Sequence, residues 1–98
     1  MGDTIMISIN VLFGKDVVGE DARVIGKSTG AQIDLSQWLI THITVKLTEE
    51  AMRELGYKKP LLGSVEVLIP VRSIKAIGDL ISVSKSIKEL KSIVEPRK

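Results

Sequence analysis

The chain has 98 residues, 44% of them hydrophobic and 27% charged, which suits one globular domain and leaves no room for a second independent core. It contains no cysteine, so a disulfide framework, thiolate metal sites and a Cys nucleophile are all excluded. The formal net charge of +2 is unevenly spread: five basic and eight acidic residues up to Gly56, nine basic and four acidic from Tyr57 onward. Only 3% is aromatic, so the core must be built from Ile, Val and Leu, whose β-branched members sit well on pleated strands.

Thr4 to Ile9 alternates, with Ile5, Ile7 and Ile9 on one face, and reads as a half-buried strand. Asp3, Ser8 and Asn10 break up this opening stretch, which lacks the basic region and small-residue cleavage site of a signal peptide. No uninterrupted apolar run approaches the ~18 residues needed to span a bilayer, so a soluble protein is expected. Asn10 is placed to cap a short helical turn through Val11, Leu12 and Phe13, stopped by Gly14. Asp16 to Val18 is a short strand, and Gly19-Glu20-Asp21-Ala22 a turn.

Val24 to Leu47 reads as two long strands joined at Asp34-Leu35-Ser36-Gln37. In the first, Ile25, Ala31, Ile33 and Leu35 share one parity; Gly26 and Gly30 on the other suggest strong coiling, a bulge, or close approach of another backbone. In the second, Leu39, Thr41, Ile43, Val45 and Leu47 form the expected core face. Trp38, Ile40, His42, Thr44 and Lys46 face the other way. Thr48 then caps a helix whose Glu49 and Glu50 complement its positive end, and Gly56 stops it after Leu55.

Tyr57 to Ser64 is a loop, Val65 to Ile69 a strand ended by Pro70, and Val71 to Ile77 a short helical turn or irregular link. Gly78-Asp79 turns the chain into a last strand, Leu80 to Val83. Ser86-Ile87-Lys88-Glu89 fits a capping box opening a C-terminal helix, with Ile87, Leu90, Ile93 and Val94 on one face and Pro96 at its end. About six short strands around an Ile/Val core, with an inserted helix and a C-terminal one, predict a mainly β fold closing into a small barrel.

Chemical motifs fail on spacing or context. Gly26-Lys27-Ser28-Thr29 copies the end of a phosphate loop, but the required earlier glycine is Asp21 and the stretch lies within a strand pattern rather than opening a helix. His42, the sole imidazole, has no second His or Cys for a metal site and no nucleophile elbow for a triad; its expected contribution is modest pH sensitivity at an interface. Glu20-Asp21 suits a turn and Glu49-Glu50 a helix start, so neither is a general acid/base pair. No catalytic, cofactor or metal residues are expected, and the chain does not read as an enzyme. Phe13, Trp38 and Tyr57 are the whole aromatic supply and lie far apart in sequence, a poor pattern for stacking bases. Trp38 and Ile40, apolar on the strand face opposite the expected core, form with His42 a candidate protein-interaction surface and the basis for expecting a homodimer.

The order of segments resembles a PRC-barrel domain across nearly the whole chain. Leu12-Phe13-Gly14-Lys15-Asp16-Val17-Val18, Ile25-Gly26-Lys27 and Trp38-Leu39-Ile40-Thr41-His42-Ile43 look like its opening. Ile69-Pro70-Val71 with Ile74, then Ile77-Gly78-Asp79-Leu80-Ile81, look like its closing strands. Ser28, Thr29 and Gly30 depart from the apolar and acidic positions usual there. Within the family, the chain is similar to the short free-standing archaeal proteins, including the CdpB cell-division proteins. That resemblance implies a non-catalytic, cytoplasmic homodimeric adaptor at the division site, working with SepF and through it FtsZ. The family's ribosome-maturation branch implies an alternative, an RNA- or ribosome-associated barrel, which the basic C-terminal part also suggests.

Overall fold

The computed structural model describes residues 6–58, 60–61 and 63–96. Among the described residues seven strands form one mixed sheet: β1 (Asp16–Val18), β2 (Val24–Asp34), β3 (Leu39–Leu47), β4 (Glu66–Pro70), β5 (Ile74–Ile77), β6 (Ile81–Val83) and β7 (Glu95–Pro96), in the spatial order β5-β6-β1-β2-β3-β4-β7. All neighbours are antiparallel except β1 and β6. Two short helices, α1 (Glu49–Glu54) and α2 (Ile87–Leu90), pack onto it.

The sheet is curled by its own connectivity. A 3₁₀ turn of three residues, Val71–Ser73, joins β4 to β5, although these strands lie five intervals apart in the sheet order. In a flat sheet five spacings amount to ~24 Å, whereas the four residue steps from Pro70 to Ile74 reach at most ~14 Å. The sheet therefore bends back on itself until β4 and β5 meet at a corner. The corner is sealed by Ser84, whose backbone N–H donates to the Ser73 carbonyl at 2.8 Å. The hydrogen-bonded ladder itself ends at β5 and β7 among the described residues.

Inside the curl lies one continuous core. Val17, Ile25, Ile43, Val45, Val67, Ile69, Ile81, Val83, Ile87 and Leu90 are essentially inaccessible, and Leu47, Ala51, Met52 and Leu55 join them. Helix α1 thus packs on its own chain. Thr48 caps it, its hydroxyl accepting from the Ala51 N–H at 3.1 Å, and Gly56 leaves it at φ +86°. Arg23, just before β2, clamps the outer side of α1 through Glu54 and Glu50. The capping box of α2 is complete: Ser86 Oγ accepts from the Glu89 N–H and the Glu89 carboxylate accepts from the Ser86 N–H.

Among the described residues four bulges break the strict alternation, one of them in β5–β6 between Ile74 and Ala76. In β1–β2 the register passes from Val17↔Gly26 to Val18↔Val24, leaving Ile25 as the additional residue, turned into the core. In β2–β3, Thr29 and Thr41 are the additional residues. Gly26 is required by close approach: a Cβ there meets the Lys46 carbonyl oxygen at 2.1 Å.

Several expectations need correction. Thr4 and Ile5 lie outside the described residues, while 6–8 form no strand and Ile9–Leu12 is a 3₁₀ turn capped by Ser8 rather than Asn10. The turn is short enough for a hydroxyl two residues back to hold the Asn10 N–H. Val71 to Ile77 is not a link alone: Ile74–Ile77 pairs with β6 as β5. Pro96 does not end the last helix, which stops at Leu90; Glu95 and Pro96 instead add a two-residue edge to β4. An edge position needs no donor on its outer side, which is why a proline fits.

Two measurements test this frame. Gly26→Ala is expected to cost about 1–3 kcal/mol in urea unfolding, because rigid backbone opposes the new methyl. Gly30→Ala, whose Cβ meets Thr44 Oγ1 only at 3.6 Å, is expected to be neutral or to stabilise by up to ~1 kcal/mol. The second concerns pH. Hydrogen bonds from Ser86 hold the Glu89 carboxylate below its ordinary value of 4.5, and the Arg23 guanidinium does the same for Glu54. Because both folded values are depressed, their stabilisation is present above pH 4.5 and disappears as pH falls through the folded values. The urea midpoint is expected to fall on acidification in that window, and less steeply in Glu89→Gln.

Candidate functional site

The β2–β3 hairpin has two halves with opposite surroundings. Its root is core: Ile43, Val45 and Leu47 are buried, and β3 is backed by β4 from His42↔Pro70 to Lys46↔Glu66. On the other side β2 is accompanied only as far as Ser28, which exchanges backbone hydrogen bonds with Gly14 and Lys15. Beyond these points the hairpin is a ribbon. Ile33 pairs with Ile40 and Asp34 with Leu39, and among the described residues no further strand lies beside either edge.

The ribbon is apolar and exposed: Ile33 is 46%, Leu35 68%, Trp38 76% and Leu39 55% accessible. From Ser28 to Thr41 the only charged residue is Asp34. That carboxylate is engaged within the turn, accepting from the Ser36 N–H at 2.9 Å and the Ser36 hydroxyl at 2.6 Å, bonds that hold it below the usual carboxylate range.

Trp38 closes the turn at φ +57°. A left-handed backbone costs a side-chain-bearing residue roughly 1–2 kcal/mol, and glycine or asparagine is the ordinary choice there. Turn geometry thus does not explain the indole, and the core does not use it. A strained, exposed tryptophan thus stands at the end of an apolar ribbon.

The three residues singled out in the sequence do not form one patch. Trp38 stands at the tip. Ile40 is half-buried and shares the face of Ile33, because the extra residue Thr41 flips the alternation between Ile43 and Ile40. The same flip corrects Leu39 from core to surface. His42 sits back at the root, half-buried, with Nδ1 2.9 Å from Thr41 Oγ1 and Nε2 3.7 Å from the Glu95 carboxylate of β7. Helix α2 does not cover Trp38; Ile87 and Leu90 are spent on the core. Ile33, Leu35 and Leu39 were missed as surface residues. The signal that could have found them is the nearly charge-free run from Ser28 to Thr41.

The other motifs are structural. Within Gly26-Lys27-Ser28-Thr29, Ser28 is buried and its Oγ accepts from the Lys15 N–H at 3.1 Å, Lys27 lies 4.0 Å from Asp16, and Thr29 donates to Glu66 at 2.7 Å. Among the described residues no group of three His, Cys, Asp or Glu side chains is placed to hold a metal ion, and no helix is long and apolar enough to cross a membrane.

If the ribbon is surface and its root is core, substitutions should separate them. In protein dilute enough to be monomeric, Trp38→Gly is expected to leave the urea midpoint unchanged or to raise stability by up to ~1 kcal/mol as the left-handed strain is relieved. Ile43→Ala is expected to cost about 2–5 kcal/mol. Neither a scan against protein-family models nor a search of curated proteins returns a match for this chain.

Proposed function

We propose that the chain is a small PRC-type β-barrel acting as a non-catalytic, homodimeric adaptor or scaffold, in the cytoplasm at the archaeal division site, where it joins SepF and, through it, FtsZ. The observation that carries the adaptor reading is the projecting apolar ribbon, a surface suited to holding another protein. Support for the barrel comes from the three-residue tie between β4 and β5, which demands a strongly curled sheet. The order of PRC-like segments supplies the division context.

A ribosome- or RNA-associated barrel is the second reading, resting on exposed Arg72, Lys75, Lys88 and Lys91. It has less behind it. Phe13 follows the first 3₁₀ turn, Trp38 lies in the β2–β3 turn, and Tyr57 follows α1 and packs on the core, so no stacking platform accompanies the cations.

Titration of the purified protein against SepF from the same organism is expected to show saturable association at micromolar concentration. No association there contradicts the adaptor reading, and steeply salt-dependent binding to RNA would favour the second.

A further inference from the structure

Beside β5, the outermost strand at its end of the sheet order, lies a groove of about 500 Å³ that is separate from the ribbon. Its walls are apolar: Ile7 and Val11 from the stretch around the first 3₁₀ turn, Ile74 and Ile77 from β5. Lys15 and Lys75 are the charged side chains that line it among the described residues, and neither has a carboxylate of those residues within 4.0 Å. Lys15 is half-buried, and its ammonium donates to the Gly78 carbonyl just past the end of β5. An ammonium carries three donors, so this bond holds the group in place and leaves two for a ligand. A concavity of this size, with apolar walls and a few placed polar groups, is the ordinary form of a small-molecule site.

We propose that this groove binds a small amphiphilic monoanion, a carboxylate on a medium-length hydrocarbon chain. The chain lies against Ile7, Val11, Ile74 and Ile77, and the carboxylate accepts from Lys15 and pairs with Lys75. Charge selects an anion, because two ammonium groups without a carboxylate partner stand beside apolar walls, where a counter-ion is worth more than in open water. The donors select a carboxylate over a phosphate. Phosphate sites add guanidinium forks or clustered backbone N–H groups. Here no arginine lines the groove, and the Gly78 N–H is already given to the Leu80 carbonyl. β5 itself selects a small molecule over an added peptide strand. It has four residues and is broken by the bulge between Ile74 and Ala76, so it offers no continuous ladder for a foreign strand.

The test is a titration of the full, isotopically labelled chain with sodium octanoate below its micellar concentration, followed by NMR. Saturable shifts are expected for the amides of Lys15 and of Ile74 to Gly78, except Ile77 in its own variant. The Kd is expected to rise at least ~10-fold in Lys15→Gln, in Ile77→Asp, and when uncharged 1-octanol replaces octanoate, the scale of one charge-assisted hydrogen bond. Lys91→Gln, on the far side of α2 from β5 in sequence, is the control and leaves the Kd unchanged. Circular dichroism and urea unfolding check that each variant is folded. No saturable shift up to the solubility limit overturns the proposal, as do shifts confined to Leu35 to Leu39 of the ribbon. A Kd indifferent to Lys15→Gln, or 1-octanol binding as tightly as octanoate, overturns it too. Shifts at β5 with an acidic peptide or with phosphatidylglycerol vesicles, but not with octanoate, overturn it in favour of that occupant. Each of these results leaves the adaptor reading to the SepF titration.

Discussion

Val71 to Ser73 join a strand near one end of the sheet to the strand at its other end, and this short tie sets the shape of the molecule. Because so few residues cannot cross a flat sheet of that width, the strands must coil around a common interior. Coiling gives an Ile/Val core an inside without aromatic bulk. Both short helices add to that interior, α1 with Ala51, Met52 and Leu55, and α2 with Ile87 and Leu90.

The same constraint limits how much of the longest strands can be used. β2 and β3 run 11 and 9 residues, but the curled body has neighbours for them only near their root. What is left over extends as the ribbon. A chain selected only for stability would shorten it, charge it, or place glycine at the left-handed position. This chain instead keeps Ile33, Leu35, Trp38 and Leu39 exposed, and holds the tryptophan at the costly backbone angle. That arrangement is the physical ground for proposing contact, rather than chemistry, at the hairpin.

Much of this was legible in the sequence where one local rule acted alone. The capping box at Ser86 and Glu89, the cap at Thr48 and the stop at Gly56 all appeared where their residues demanded, and of the three readings open for Gly26 the structure shows close approach. Alternation failed where bulges intervened. Ile25, Thr29 and Thr41 each add a residue opposite none, and every bulge shifts the parity beyond it, so Leu39 reads as core and lies at the surface. The strand Ile74–Ile77 was hidden because a four-residue edge strand with an exposed lysine has almost no periodic signal. The pairing of Glu95 and Pro96 with β4 depends on where the tail lands in three dimensions, which no local pattern records. At the site, Trp38 was identified, but Leu39 was assigned to the core face, and Ile33 and Leu35 were given a shared parity without being recognised as surface.

The most direct test of the central claim is amide hydrogen exchange followed at two protein concentrations, one dilute and one as high as solubility allows. Amides of Ile43 to Leu47 are expected to be protected at both, since β2 and β4 flank them. Amides of Ala31 to Asp34 and of Trp38 to Ile40 are expected to exchange rapidly in dilute protein and slowly in concentrated protein. Ribbon amides that exchange at the same rate at both concentrations contradict the account.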